Sequence, residues 1–203
     1  MNTQHNIILS DIEAMEKHAE LINGNLVIED KTTVSHNSTV SDIATAFRNF
    51  IASNGGDCKV FQENVALYCN ELLDEEDASN YFLPDVMVVC DKAGIKDNGI
   101  HVAPKFVAEV TSPNTQKNDY GDKMLVYRNI GVEEYWIVDL QKKIVTKYLL
   151  TEEFVPETYL HPEAMKVSTY EGLVIDLSEY MWVVLVGRIE YRSSKAFVLY
   201  WFY

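Results

Sequence analysis

Three side chains of complementary chemistry occur in order along the chain: Asp85, Glu109 and Lys123. Asp85 follows Pro84 at the start of the apolar run PDVMVVCD, and Glu109 interrupts a second apolar run, KFVAEVTSP. An ionised carboxylate in apolar surroundings loses its hydration, so it needs a partner or a bound cation. Because Mg²⁺ prefers oxygen ligands, two such carboxylates beside a lysine indicate a magnesium-dependent phosphodiesterase site.

The two apolar runs are predicted to be strands buried on both faces, because they are rich in valine and show little polar alternation. Side chains alternate between the faces of a strand. One face of the second strand therefore carries Val107, Glu109 and Thr111, and the other carries Phe106, Ala108 and Val110. This alternation places Glu109 in the middle of an otherwise apolar strand, and Asp85 at the mouth of the strand before it.

Each of these residues also has a purely structural interpretation. An aspartate after proline is often a turn or strand cap, and a strand glutamate can pair with a nearby lysine or arginine. Lys123 lies four residues after Asp119 on a predicted helix, so an ion pair between these two is the alternative to a catalytic role. Both interpretations of Lys123 remain open, and both can hold in the metal-free state.

Composition favours one folded domain with a real core, since the chain has 203 residues and 47% hydrophobic content. The formal net charge of −14 argues against a non-specific nucleic-acid coat, because phosphate binding depends on lysine and arginine. It does not exclude a nuclease. Much of the acid falls in one predicted loop, Glu71 to Asp77, whereas four basic residues are expected around the candidate site: Lys105, Lys117, Lys123 and Arg128.

Cys58, Cys69 and Cys90 lie far apart in apolar surroundings, and we predict reduced core thiols in a cytoplasmic protein. The N-terminus has the character of neither a signal nor a transit peptide, and the apolar stretches are too short to cross a membrane. Five histidines show no paired zinc spacing, so no zinc site is expected. His36 is predicted to lie on the surface or cap a helix, with a proton shuttle as the alternative.

The remaining pattern predicts an α/β fold, with a mixed sheet and helices packed against it. Asn23-Gly24 between apolar runs predicts a hairpin, and an apolar stripe from Val40 to Ile51 predicts a helix that begins near Ser38 and stops at Gly55-Gly56. The other expected elements are helices over 11–19 and 118–130, strands over 59–61 and 65–69, and a hairpin of strands 134–139 and 144–150.

The same residues carry a family resemblance. PDVMVVCD and FVAEVTSPNTQKNDYGDKMLVYRNIGVEEYWIVDL, with ELINGNLVIED and VFQENVALY upstream, resemble the Uma-two family of restriction-endonuclease-like proteins. That family belongs to the PD-(D/E)xK nuclease superfamily, and the similarity extends from about Ala19 to Tyr180. The resemblance implies a four-stranded mixed core sheet flanked by helices, with additional strands, and Mg²⁺-dependent endonuclease cleavage of DNA.

Carried over to this sequence, the resemblance makes Asp85 and Glu109 metal ligands, with the Val110 carbonyl beside them. The superfamily lysine expected two residues after the second acid is replaced here by Thr111. The resemblance therefore points to Lys123, on the following helix, as the catalytic lysine. Mn²⁺ is expected to substitute for Mg²⁺.

Four residues further from the motif are expected to have mainly structural roles. Glu20 and Gln62 are within possible reach of the site, although a structural role is favoured for both. Tyr135 and Trp136 are predicted to be core aromatics rather than base-stacking platforms.

We predict a nuclease domain over 1–180 and an apolar extension over 181–203. The segment Ala196 to Tyr203 is aromatic and uncharged, which favours burial, and we predict a homodimer contact there. Docking on the same subunit and an extension foreign to the fold are the alternatives. Two other functions also stay open: a non-catalytic binding or scaffold protein on the nuclease fold, and a hydrolase of another phosphate ester.

Overall fold

The computed structural model describes residues 12, 19–28, 32–73, 80–111, 119–151, 155–160 and 162–181. Its helices are α1 (Val34–Ser53), α2 (Cys69–Leu73) and α3 (Met124–Ile130). Its strands are β1 (Ala19–Ile22), β2 (Asn25–Ile28), β3 (Lys59–Gln62), β4 (Leu67–Tyr68), β5 (Tyr81–Phe82), β6 (Val86–Val89), β7 (Ile95–Lys96), β8 (Gly99–Ile100), β9 (Phe106–Thr111), β10 (Glu134–Asp139), β11 (Ile144–Leu149), β12 (Glu157–Leu160), β13 (Met165–Lys166) and β14 (Val174–Ile175).

A mixed sheet forms the centre of the molecule, in the strand order β12-β11-β10-β9-β6-β3. β9 and β10 run parallel, whereas β6 is antiparallel to both β9 and β3. The hairpin between β10 and β11 continues the sheet on the other side. The predicted α/β class, with its mixed sheet, is confirmed.

The central sheet is covered on both faces, as the valine-rich strands predict. Phe106, Ala108 and Val110 of β9 join the core formed with α1, whereas Val107 joins the core formed with α3. All residues of β6 and β9 are buried. The predicted alternation of β9 is therefore confirmed, and Glu109 shares the face that looks towards α3.

A second sheet, in the order β2-β1-β5-β4-β8-β7, lies outside this centre. It begins with the predicted hairpin, in which β1 and β2 pair antiparallel through Asn23 and Gly24. Both turn residues have left-handed backbones, with φ of 49° and 74°, as this turn type requires. These strands are the additional N-terminal strands that the resemblance implies.

Helix α1 begins earlier than the apolar stripe alone indicates. The Thr33 side chain accepts a hydrogen bond from the backbone N–H of His36, and this N-cap starts the helix at Val34. The apolar stripe packs on the central sheet, and the helix ends at Ser53, just before Gly55 with its φ of 65°. The predicted core role of the stripe is confirmed.

The predicted helix over 118–130 consists of two parts among the described residues. A π-helical turn spans Asp119–Lys123, and α3 continues it to Ile130. Gly131, with φ of 95°, ends the helix at the predicted position. Asn118 lies outside the described residues.

Other expectations need correction. The strand predicted over 65–69 is reduced to β4, because Cys69 begins the short helix α2. The helix predicted over 11–19 lies mostly outside the described residues, and Ala19 belongs to β1. Within the described ranges, no helix has the length and apolar content needed to cross a membrane.

The prediction that all cysteines are reduced is also wrong. Cys58 and Cys90 form a disulfide, while Cys69 is a free, buried thiol. The register of β3 and β6 explains the bond: Lys59 pairs with Val89, so the next rung brings Cys58 opposite Cys90. The sequence separation of 32 residues conceals this proximity.

Candidate active site

Lys123 lies at the centre of a buried acidic cluster, with a side-chain exposure of 2%. Its Nζ is 2.8 Å from Glu20 Oε2, 3.2 Å from Glu109 Oε1 and 3.6 Å from Asp119 Oδ1. The contact with Asp119 is the helical ion pair that was one interpretation of this lysine. The contact with Glu109 also places Lys123 at the candidate site, and its catalytic role stays a prediction.

Glu109 projects from the middle of β9 and is 4% exposed. Its Oε1 accepts hydrogen bonds from Tyr127 OH at 2.6 Å and from Lys123 Nζ at 3.2 Å, and Oε2 faces the Asp85 amide at 3.4 Å. Burial raises the pKa of Glu109 well above its ordinary value, against the opposing effect of Lys123. The negative charge of Asp85 raises this pKa further.

Asp85 lies at the start of β6, opposite Glu109. Its Oδ2 accepts a hydrogen bond of 2.7 Å from the backbone N–H of Val110, while its Oδ1 is 3.3 Å from His36 Nε2. Val110 thus orients the carboxylate through its amide. A ligand role for the Val110 carbonyl stays a prediction.

Three acids share one row across the central sheet. Val86 pairs with Ala108, so the next rung sets Asp85 opposite Glu109, and Ile137 of β10 lies beyond Glu109. On the other side of Asp85, the Glu63 amide donates to the Asp85 carbonyl at 3.2 Å, which extends the ladder of β3 and β6 by one rung. Glu63, Asp85 and Glu109 are therefore neighbours on adjacent strands, and like charges so placed repel one another.

Glu20 contributes from a different sheet. It lies in β1, is fully buried, and its Oε1 accepts a hydrogen bond of 2.7 Å from the Leu83 amide. Its Oε2 makes the short contact with Lys123. Sequence analysis placed Glu20 within reach of the site but favoured a purely structural role, and the only available signal was an acid within the apolar run ELI.

His36 is the residue that sequence analysis placed wrongly. It is 8% exposed rather than on the surface, and its backbone amide, not its side chain, serves the helix cap. Its Nδ1 lies 3.5 Å from Glu63 Oε1, on the side of the ring opposite the contact with Asp85. One ligand atom from each of His36, Glu63 and Asp85 lies within 4.8 Å of those of the other two. Regular spacing in the sequence could not reveal this group, because its members come from three separate elements.

Other predicted residues have varied outcomes. Tyr135 and Trp136 are fully buried in the core, as predicted, and their polar atoms bond to the Asp119 carbonyl and to Glu134. Lys105 lies over the Tyr170 ring, 5.0 Å from its centre, at the end of β9 remote from Thr111. The expected basic cluster is therefore not formed by Lys105, and Lys117 lies outside the described residues.

The residues present fit a divalent cation. Four buried carboxylates belong to this cluster: Glu20, Asp85, Glu109 and Asp119. The buried ammonium group of Lys123 contacts all of them except Asp85. Such an excess of negative charge in a dry site favours a bound cation, and carboxylate oxygens are the ligands that Mg²⁺ prefers. Asp85 and Glu109 present these oxygens from adjacent strands.

The fold and the acidic site together define a restriction-endonuclease-like α/β protein. The chain belongs to the Uma2 family, described as "Putative restriction endonuclease", whose sequence profile matches residues 7–178. This match confirms the resemblance found in the motifs around Asp85 and Glu109.

Two relatives illustrate the similarity. A crystal structure from Anabaena variabilis ATCC 29413, described as that of "a putative nuclease belonging to DUF820", superposes with a TM-score of 0.67 at 16% sequence identity. The superposition covers 87% of this chain and 99% of that chain, and it establishes the fold. The protein slr1290 of Synechocystis sp. (strain ATCC 27184 / PCC 6803 / Kazusa), described as uncharacterized, is 29% identical over 124 residues, which are 61% of this chain and 60% of that relative.

Proposed function

We propose that this protein is a Mg²⁺-dependent endonuclease that hydrolyses DNA phosphodiester bonds. One observation carries the proposal: Asp85 just before β6, Glu109 on β9 and Lys123 at the end of the π-helical turn belong to one buried cluster. Membership of a family described as putative restriction endonucleases gives independent support.

The roles of these residues follow from their chemistry. Asp85 and Glu109 hold the cation, with the Val110 carbonyl as a further ligand, and Mn²⁺ substitutes for Mg²⁺. When bound, the cation polarises the phosphate and lowers the pKa of a coordinated water. Lys123 stabilises the negative charge that develops on the phosphate during attack.

Tyr127 and Glu20 position this machinery. Tyr127 OH holds Oε1 of Glu109, and Glu20 holds the ammonium group of Lys123. Both partners are buried, so the hydrogen bonds are shielded from competing water. Of the three carboxylates that contact Lys123, only Glu109 would also be a ligand of the cation, so Glu20 and Asp119 would keep the lysine in place.

Plasmid nicking in Mg²⁺ or Mn²⁺ tests the proposal. Asp85→Ala and Glu109→Ala are expected to retain the fold and to lose both divalent-metal binding, measured by calorimetry, and nicking. Asp57→Asn is a matched control, because Asp57 is exposed and pairs with Lys92 on the surface. Metal binding by both alanine variants equal to that of the parent protein would show that the metal ligands are misplaced.

A non-catalytic binding or scaffold protein is the second candidate. The net charge of −14, the threonine in place of the strand lysine, and the internal contacts of Glu109 favour it. This hypothesis predicts that the protein retains its fold and binds a partner, yet fails to nick DNA in either metal. Single-turnover assays with excess protein separate the two candidates, and other phosphate esters can be assayed in the same way.

The setting of the protein is part of the proposal. We propose a nuclease domain over 1–180 and a homodimer formed through the apolar extension over 181–203. We also propose a cytoplasmic location, in which the Cys58–Cys90 disulfide would be an exception to the usual reduced state. The extension lies outside the described residues except for Met181, so the dimer rests on the sequence alone. Truncation after Tyr180 is expected to convert a dimer into a monomer, as measured by light scattering. The same oligomeric state before and after truncation would rule out a dimer contact by the extension.

A further inference from the structure

His36, Glu63 and Asp85 converge beside the acidic cluster, on the side of Asp85 that faces away from Glu109. His36 comes from the first turn of α1, Glu63 follows β3 directly, and Asp85 precedes β6. One ligand atom of each lies within 4.8 Å of those of the other two. His36 Nε2 lies 3.3 Å from Asp85 Oδ1, and Nδ1 lies 3.5 Å from Glu63 Oε1.

The three residues lie on regular backbone segments. The Glu63 amide donates to the Asp85 carbonyl at 3.2 Å, so these residues form adjacent positions of the sheet. The His36 amide donates to the Thr33 hydroxyl at 3.1 Å, which caps the first turn of α1. Ligands carried by rigid elements lose little conformational entropy when an ion binds.

The two oxygens of Asp85 have different surroundings. Oδ2 is held by the Val110 amide at 2.7 Å, whereas Oδ1 points to His36. At the opposite end of the row Glu63–Asp85–Glu109, Lys123 contacts Glu109. His36 therefore lies between Asp85 and Glu63 and contacts both carboxylates.

Only one nitrogen of an imidazole can bind a given ion, because the two ring nitrogens point in different directions. Nε2 is the nitrogen that faces Asp85, with 3.3 Å between Nε2 and Oδ1. Two donors that each lie about 2.0–2.2 Å from one ion are separated by roughly 3.0–3.5 Å, so this pair has the spacing of two ligands. Glu63 lies at Nδ1, where its carboxylate can orient the ring. An imidazole nitrogen also differs from the all-oxygen set that suits Mg²⁺.

We infer that His36 Nε2 and Asp85 Oδ1, with Glu63 holding the other ring nitrogen, form a second cation position that prefers a first-row transition ion, such as Mn²⁺ or Zn²⁺, over Mg²⁺. Nitrogen ligands bind these ions more strongly than they bind Mg²⁺. The inference deepens the proposed function, because Asp85 is shared by the two cation positions. His36 is the new ligand in this arrangement, and Glu63 orients it through Nδ1.

Calorimetry with Mn²⁺, Zn²⁺ and Mg²⁺ alone tests the inference on the full chain after chelator treatment. The parent protein is expected to bind Mn²⁺ at least about tenfold more tightly than Mg²⁺. His36→Gln and Glu63→Gln are each expected to weaken Mn²⁺ binding about tenfold or more and to leave Mg²⁺ binding nearly unchanged. His101→Gln is the matched control, because His101 contacts Asn98 and the Tyr68 ring instead.

Pulsed electron paramagnetic resonance adds a readout that a structural role would not change. Imidazole coordination couples the nitrogen nucleus to bound Mn²⁺, and this coupling is expected in the parent and absent from His36→Gln. Mn²⁺ binding by His36→Gln with the parent affinity, or parent spectra without nitrogen coupling, would overturn the inference. Should His36→Gln fail to fold, Glu63→Gln decides by affinity, since Glu63 is partly exposed.

Plasmid nicking in Mg²⁺ separates this inference from the proposed function. If the parent protein shows nitrogen coupling to bound Mn²⁺ but does not nick DNA, the second cation position is supported and the nuclease proposal is wrong. If the parent protein nicks DNA in Mg²⁺ but shows no nitrogen coupling to bound Mn²⁺, the nuclease proposal is supported and the second cation position is wrong.

Discussion

Tyr127 donates its phenolic hydrogen to Glu109 Oε1 across 2.6 Å, in a part of the molecule where both side chains are buried. The contact joins α3 to the middle of β9. It also means that the candidate metal ligand is held in one orientation before any cation arrives. Burial of the phenol raises the pKa of Tyr127 well above its ordinary value, and the charge of Glu109 raises it further, so the hydroxyl retains its hydrogen.

Tyr127→Phe removes this donor and leaves a buried carboxylate oxygen with one partner fewer. We expect the free energy of unfolding of the metal-free protein to fall by about 1–3 kcal/mol, as for other hydrogen bonds to charged groups. Urea unfolding in chelator measures the change. A double-mutant cycle with Glu109→Gln gives the coupling between the two side chains, and a coupling near zero would contradict the contact.

Glu109→Gln is expected to stabilise the metal-free protein at neutral pH. The folded-state pKa of Glu109 is raised, mainly by burial, so its contribution to stability is full below the ordinary value of 4.5 and is lost as pH rises towards the folded-state pKa. The advantage of the glutamine variant should therefore grow from pH 4.5 to pH 7. Thermal melts in chelator measure it, with the exposed Glu163→Gln as control. A parent protein more stable than the variant at pH 7 would contradict this.

Lys123→Ala removes the cation that three buried carboxylates share. We expect stability at neutral pH to fall by about 3–5 kcal/mol, because uncompensated buried charges remain. Metal binding should persist, while cleavage should fall by roughly 10²-fold or more. Chemical unfolding and single-turnover nicking measure the two effects.

Lys142→Ala serves as the control for Lys123→Ala, since the Lys142 side chain is 55% exposed in its ion pair with Asp139. The free energy of unfolding of Lys142→Ala should differ from that of the parent by no more than about 1 kcal/mol. Cleavage by Lys123→Ala at the parent rate would assign this lysine to structure alone.

Reduction of the Cys58–Cys90 disulfide is expected to lower the free energy of unfolding by about 3–4 kcal/mol, given a closed loop with a sequence separation of 32. Urea unfolding with and without reductant measures the loss. The Cys58→Ser/Cys90→Ser double variant should show the lower stability and no further response to reductant. Titration of one free thiol, Cys69, in the oxidised denatured parent checks the pairing.

Local patterns predicted the elements that carry the main acids. The alternation along β9 predicted the face on which Glu109 lies, and Asn23-Gly24 predicted the first hairpin. Both predictions were possible because each signal depends only on residues that are close together in the chain. The end of α3 at Gly131 was predicted for the same reason. These features depend on steric preferences that act over a few residues.

Contacts between distant segments were harder to predict. His36 looked like a capping or surface residue, since no local pattern brings it to Glu63 and Asp85. The pairing of Cys58 with Cys90 depends on the register of two strands, which the spacing of the cysteines does not encode. Tertiary packing fixes these relationships, and a single sequence offers few signals for it.

The position of Glu20 affects how the site forms during folding. The Glu20 carboxylate accepts a hydrogen bond from the Leu83 amide, and these residues lie 63 positions apart in the sequence. Its other partner, Lys123, lies further along the chain. Contacts between such distant segments form only after the chain has closed large loops, so they are expected late in folding. We therefore expect the central sheet to assemble before the site is complete, and Lys123 to acquire its last buried partner only when the β1 hairpin docks.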